Sequence, residues 1–176
     1  KILGSNKYKK ILKFKTKKQK NFLIIPEAFH FETERLLSFT FDIAKILPDY
    51  KFIFRCHPMM NNKKLTSEIN LRENIELSNK DISHDIETCK YVLFRGSAAV
   101  FEAVSSGLKP IYLDGRNEIN INPFKNTFLN NCIVVKPKDI FTVLKYHETN
   151  KINKKMIHYS NNYFAKLDTK VIESLL

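Results

Sequence analysis

The chain has 176 residues, the size of one domain at roughly 100–200 residues each. Its 43% hydrophobic and 27% charged residues, with fourteen Phe and only four Gly, exclude collagen-like, Gly-rich and disordered classes. The net charge of +12 invites an anionic partner, yet nine Lys and no acid fall in residues 1–20, which leaves +3 for the rest.

Residues 1–20 read as a basic linker that leaves a preceding domain, since the chain starts without Met and inside a Lys-rich strip. Phe22-Leu23-Ile24-Ile25 is a short apolar strand ended by Pro26. A helix is predicted over about residues 32–47, with Leu36, Phe39, Ile43 and Leu47 on one face and Pro48 as its stop. Residues 51–56 read as a second strand, ended by His57-Pro58. A weaker helix over 63–70 and a short strand at Ile75–Leu77 follow. Next come a helix near 82–89, the strand Tyr91–Phe94 and the turn Arg95-Gly96-Ser97. A helix over 98–106, stopped by Gly107, leads to a strand at 110–113. An Asn-rich loop over 115–131 precedes a sixth strand at 132–135 and a helix at 139–147. The last helical stretch, about 153–167, is amphipathic but weakly apolar, and residues 152–176 read as a C-terminal helical tail.

Apolar strands alternating with helices predict a doubly wound α/β domain over residues 21–151, with a parallel six-stranded sheet covered on both faces. The expected strand order is 3-2-1-4-5-6. Ligands then bind outside the carboxyl ends of the strands, where the order switches. Strands one, two and four are neighbours in that order. Their ends bring Glu27, His57-Pro58 and Arg95-Gly96-Ser97 to one crevice.

Gly96 lets the backbone turn tightly and approach a ligand closely. Ser97 is a natural N-cap for the helix behind it, and the free N–H groups there suit a diphosphate. Val100, Val104 and Gly107 lie on the side that must face the sheet, with Ala98, Glu102 and Ser105 opposite. Glu102 stands roughly 6 Å below the helix start at 1.5 Å per residue, about one sugar unit from a phosphate at the cap. It is the candidate acceptor for ribose hydroxyls. Serine caps and first-turn glutamates also occur without ligands, so the pattern alone leaves both readings open. His57 can donate to a phosphate oxygen, with Pro58 stiffening its position; a loop carbonyl would satisfy it equally. Glu27 serves either a ligand or the dipole of the helix after it. His30, His84, His147 and His158 have no partners at metal-ligand spacing and read as surface or core residues.

Several chemistries lack their signatures. There is no G-x-G-x-x-G, no G-x-x-x-x-G-K-[ST] and no G-x-S-x-G. No D-x-D appears, so neither a metal nor a cofactor is expected. Cys56, Cys89 and Cys132 are odd in number and widely spaced, which predicts a reducing cytoplasm rather than a disulfide framework or zinc site. No stretch approaches the ~18 apolar residues of a membrane helix.

The segment Arg95-Gly96-Ser97-Ala98-Ala99-Val100-Phe101-Glu102-Ala103, followed by Ser106-Gly107-Leu108-Lys109-Pro110-Ile111, resembles the donor-binding segment of GT-B glycosyltransferases. In that superfold small residues at the helix start bind the diphosphate and a Glu binds ribose. The resemblance therefore implies Gly96, Ser97 and Ala98 for the first role and Glu102 for the second. Phe54-Arg55-Cys56-His57-Pro58 is similar to the His-Pro motif of bacterial sialyltransferases, capsule Kdo transferases and CDP-glycerol polymerases. There the His contacts the phosphate of a cytidine nucleotide donor. Leu3-Gly4-Ser5-Asn6-Lys7-Tyr8 looks like the link after the N-terminal domain of surface-carbohydrate enzymes. Those cytidine-donor families often carry a second Ser or Thr where Ala98 stands here, so the donor base stays open among CMP, CDP and UDP. The resemblance implies the donor-binding half of a bacterial surface-polysaccharide glycosyltransferase, whose acceptor domain and catalytic base lie elsewhere and without which this half is inactive. Its expected partners are a nucleotide-sugar donor, the acceptor domain and, through the lysines from Lys7 to Lys20, the anionic inner face of a membrane.

Two other readings compete. A nonhydrolysing UDP-sugar epimerase shares the GT-B architecture and would use Glu27 and His57 in acid–base work. A basic nucleic-acid-binding module would use the nine Lys of residues 1–20, but the aromatics there are only Tyr8 and Phe14, and no recognised binding motif follows, so no nucleic-acid partner is expected.

Overall fold

The computed structural model describes residues 20–60, 73–115, 118–124 and 128–164. The basic strip before Lys20, the helix predicted over 63–70 and the end of the C-terminal stretch lie outside the described residues.

β1 (Asn21–Ile25) is fully apolar after its first residue because both of its faces are covered. Phe22 and Ile24 belong to one core cluster and Leu23 and Ile25 to the other. The same split recurs in β2 (Lys51–Phe54), where Phe52 and Phe54 face one way and Ile53 the other. It recurs again in β4 (Tyr91–Phe94), after β3 (Ile75–Leu77). Alternate side chains of a strand point to opposite faces, so a continuous apolar run marks a strand buried on both. With β5 (Lys109–Leu113) and β6 (Ile133–Val134) these form one six-stranded sheet in the order β3-β2-β1-β4-β5-β6. Every pairing is parallel, as the sequence predicted.

One face of the sheet is covered by α1 (His30–Ile46) and α4 (Asp139–Thr149). The other is covered by α2 (Ile82–Thr88), α3 (Val100–Ser105) and α5 (Lys154–Asn161). α1 buries Leu36, Phe39, Ile43 and Ala44, and ends because Leu47, which precedes Pro48, leaves the helical region at φ −127°, ψ 63°. α3 ends in a Schellman arrangement. Gly107, at φ 96°, donates its N–H to Val104 O, and Leu108 donates to Ala103 O.

Pro110 sits inside β5 without an N–H to give to a neighbouring strand. It is tolerated because β6 pairs only with Tyr112 and Leu113, further along. Its carbonyl is engaged by Nε2 of His147 at 3.0 Å, and burial holds that imidazole down to about 4.

Residues 152–164 pack on the domain. Met156 of α5 is 2% exposed within the same core cluster as α3. Phe101 of α3 stacks on Tyr163, with ring centroids 3.7 Å apart. Asn153 caps α5 by accepting the Lys155 N–H at 2.9 Å.

Candidate functional site

The carboxyl ends of β1, β2 and β4 open on one cavity of about 690 Å³, within the range of small-molecule sites. It is where the chain turns from building the sheet toward β2 and β3 to building it toward β4, β5 and β6. Seven residues singled out in the sequence line it together: Glu27, His57, Pro58, Gly96, Ser97, Ala98 and Glu102.

Glu27 follows buried Pro26 and is pinned through its backbone, whose carbonyl accepts the Thr33 hydroxyl at 3.2 Å. Its carboxylate lies across Gly96, where any Cβ would overlap Oε1. Glycine there leaves room for the carboxylate in this position; its φ is not positive, so the turn itself does not demand glycine. Burial raises the pKa of Glu27, and the nearby Glu32 carboxylate raises it further, against the pull of the Gly96 N–H and Arg95. Its Oε1 is buried with no hydrogen-bond partner.

His57 is half-buried, and its Nδ1 accepts the Met59 N–H at 3.3 Å. A nitrogen used as an acceptor carries no proton in the neutral ring, so the proton sits on Nε2. That leaves His57 a hydrogen-bond donor to whatever enters the cavity.

The turn after β4 departs from expectation in two respects. Ser97 is not a side-chain cap. α3 begins at Val100, and the turn before it is closed by Val100 N–H donating to Ser97 O and Phe101 N–H donating to Ala98 O, both at 3.2 Å. These i to i+3 bonds wind the chain tighter than an α-helix, which takes the cap position away from Ser97. The N–H groups of Ser97, Ala98 and Ala99 find no acceptor among the described residues. The second departure is Arg95, which the fold does not bring into the cavity. Its side chain is 2% exposed and points to the α1 side, where it donates to Glu32, to the Leu113 carbonyl at 3.0 Å and to Glu118 Oε2 at 2.9 Å. Glu118 also pairs with Arg35, whose hydrogen bond holds its carboxyl below the usual carboxylate range.

Glu102 stands on the outer side of α3 with Ala98 and Ser105, while Val100 and Val104 are fully buried against the sheet. Among the other histidines, His30, His84 and His158 are exposed and His147 is buried. No three His, Cys, Asp or Glu side chains cluster to hold a metal among the described residues. None of the described helices is long and apolar enough to cross a membrane.

Two contributions escaped the sequence reading. Arg55 is the sole Lys or Arg among the described residues that line the cavity. It is tied to the buried Asp85 carboxylate at 2.9 Å and to the Lys80 carbonyl, and Asp85 in turn accepts the Ser78 hydroxyl at 2.6 Å. Its position just past a strand end was a usable signal; the aspartate that fixes it, thirty residues on, was not. The second is α5, which lends Ser160 and Asn161 to the cavity. Cys56 also lines it, with burial pushing the thiol up to about 11.

No protein-family model and no curated protein matches the sequence. Solved structures do match. The crystal structure of TarM is similar with a TM-score of 0.59 and 16% identity, over 97% of this chain and 37% of that one. The structure of the glycotransferase of kitacinnamycin is similar with a TM-score of 0.49 and 12% identity, over 81% and 38%. The likeness to TarM is one of fold, and this chain spans 37% of the length of TarM.

Proposed function

We propose that this chain is the donor-binding domain of a GT-B glycosyltransferase of bacterial surface-polysaccharide synthesis, and that it takes a CMP-, CDP- or UDP-activated sugar. The observation that carries this reading is the convergence of His57, the Gly96–Ala98 turn and Glu102 on one cavity. The turn's unpaired N–H groups and the Nε2–H of His57 suit the phosphates. Glu102 accepts from the ribose hydroxyls, and Pro58 braces His57. The fold shared with TarM supports the architecture. In this reading the acceptor and the catalytic base belong to a further domain, and this domain binds donor without turning it over.

The test is calorimetric titration of the chain and of Glu102→Ala and His57→Ala with CMP, CDP, UDP and GDP. Loss of a hydrogen bond to a charged group costs roughly 1.5–3 kcal/mol, or about 10- to 150-fold in affinity. Glu102→Ala should lower nucleotide affinity with little change in melting temperature, since the side chain lies away from the sheet. Affinity unchanged in both variants would sink the reading.

The raised pKa of Glu27 favours one second reading, acid–base work on a UDP-sugar by an epimerase. Conversion of a UDP-sugar by the protein with no acceptor present would select it.

The lysines from Lys7 to Lys20 would hold such an enzyme at an anionic membrane surface. Each Lys near that surface contributes on the order of 1 kcal/mol, screened by salt. Flotation with liposomes should require anionic lipid and fade as salt rises; flotation indifferent to lipid charge would refute it.

A further inference from the structure

Among the described residues, three buried side-chain atoms have no hydrogen-bond partner: Glu27 Oε1, Ser160 Oγ and Asn161 Oδ1. All three residues line the same cavity. Buried polar groups are almost always paired, so a concentration of unpaired ones marks a place where a ligand or water completes the bonding. Glu27 belongs to the strand-end site already described. Ser160 and Asn161 do not; they stand at the end of α5.

Ser160 is only 6% exposed. A serine inside a helix ordinarily bonds to the carbonyl four residues back or reaches water. Ser160 does neither. Its helix is not a loose appendage either, since Met156 anchors it in the core and Tyr159 and Tyr163 pack on Phe101. Both residues therefore stand in the cavity wall on a fixed element, with their unpaired oxygens just beneath its surface.

We propose that Ser160 and Asn161 are ligand-binding residues, and that α5 is the wall that holds the nucleoside part of the nucleotide. This rests on the nucleotide-binding reading above. The choice of nucleoside over phosphate follows from charge. Arg55 and His57 stand at the end of β2, whereas Glu102, Ser105, Ser160 and Asn161 are anionic or neutral. Among the described residues that line the cavity, none beside α5 offers a phosphate a cation. A ribose hydroxyl or the edge of a base would find donors and acceptors, because a serine hydroxyl and an asparagine amide each offer both. Phe164, which also lines the cavity, gives that end an apolar wall for a base face.

The test is calorimetric titration of the full chain, Ser160→Ala and Asn161→Ala with CMP, UDP and inorganic pyrophosphate, alongside melting without ligand. Loss of one neutral hydrogen bond lowers affinity about two- to tenfold. That loss is expected in both variants for whichever nucleotide the parent chain binds more tightly, with any affinity for pyrophosphate unchanged. Ser160→Ala should melt at or above the parent temperature, because it removes an unpaired buried hydroxyl rather than a structural bond. Unchanged nucleotide affinity in both variants overturns the assignment, as does a lowered melting temperature in Ser160→Ala. A parent chain that binds neither CMP nor UDP overturns the nucleotide reading and this one with it. Losses in His57→Ala and Glu102→Ala with none in the α5 variants overturn this one alone.

Discussion

Arg95 separates a binding role from a structural one more sharply than any other residue of the turn after β4. Its position beside Gly96-Ser97 suggests an anion ligand, but its guanidinium is buried on the opposite side of the sheet. Three acceptors hold it: the Glu32 carboxylate from α1, the Leu113 carbonyl from the end of β5, and Glu118 from the loop beyond. Arg95→Met keeps the volume of the side chain and removes the charge. Glu32, with its side chain 16% exposed, then keeps a largely buried carboxylate with its main partner gone.

Removing one partner of a buried ion pair costs about 3–5 kcal/mol. Glu118 is 36% exposed, so its share is screened by solvent and the lower end applies. About 3 kcal/mol corresponds to a fall of roughly 6–12 °C in melting temperature for a chain of this size. The assay is thermal and urea unfolding followed by circular dichroism, with the double variant Arg95→Met/Glu32→Gln beside it. Removing both charges should recover part of the loss, because the buried carboxylate left without its partner is then gone. An Arg95→Met protein that melts like the parent but binds CMP or UDP at least about tenfold more weakly would refute this and put the guanidinium back in the cavity.

His147 should make the fold acid-sensitive. Its folded pKa is depressed to about 4 from 6.5, so the stability it contributes is present above 6.5 and is lost as pH falls toward 4. The shift corresponds to up to about 3 kcal/mol, read as the slope of urea-unfolding free energy against pH, and His147→Gln should flatten that slope. Glu27 carries the opposite sign. Its folded pKa is raised above 4.5, so its protonated form stabilises the fold at low pH and that contribution is lost as pH rises through the folded value. Glu27→Gln should therefore melt higher than the parent at pH 7 and no higher at pH 4; a lower melting temperature at pH 7 would mean that the carboxylate makes a stabilising contact.

The fold was legible in the sequence because parallel strands buried on both faces leave unmixed apolar runs, such as Phe22–Ile25 and Tyr91–Phe94. Boundaries were legible wherever a residue's backbone chemistry decided them, as at Pro48 and Gly107. The site was legible in part, because the ends of neighbouring parallel strands must meet, whatever their side chains do. What could not be read was the direction of side chains one residue apart. Arg95 and Gly96 are adjacent, yet one reaches across to α1 and the other faces the Glu27 carboxylate. A strand end turns successive residues to opposite faces, so a motif read as a string mixes the two sides. Ser97 failed as a cap for a related reason: the tight turn of 98–100 was closed by backbone bonds before the hydroxyl could act. The helix α5 was expected but its part in the site was missed, because its buried face was fixed only by Met156, Tyr159 and Tyr163. In that face Ser160 is an exception to the apolar rule, and it differs from buried Thr40 and His147 in having no hydrogen-bond partner among the described residues.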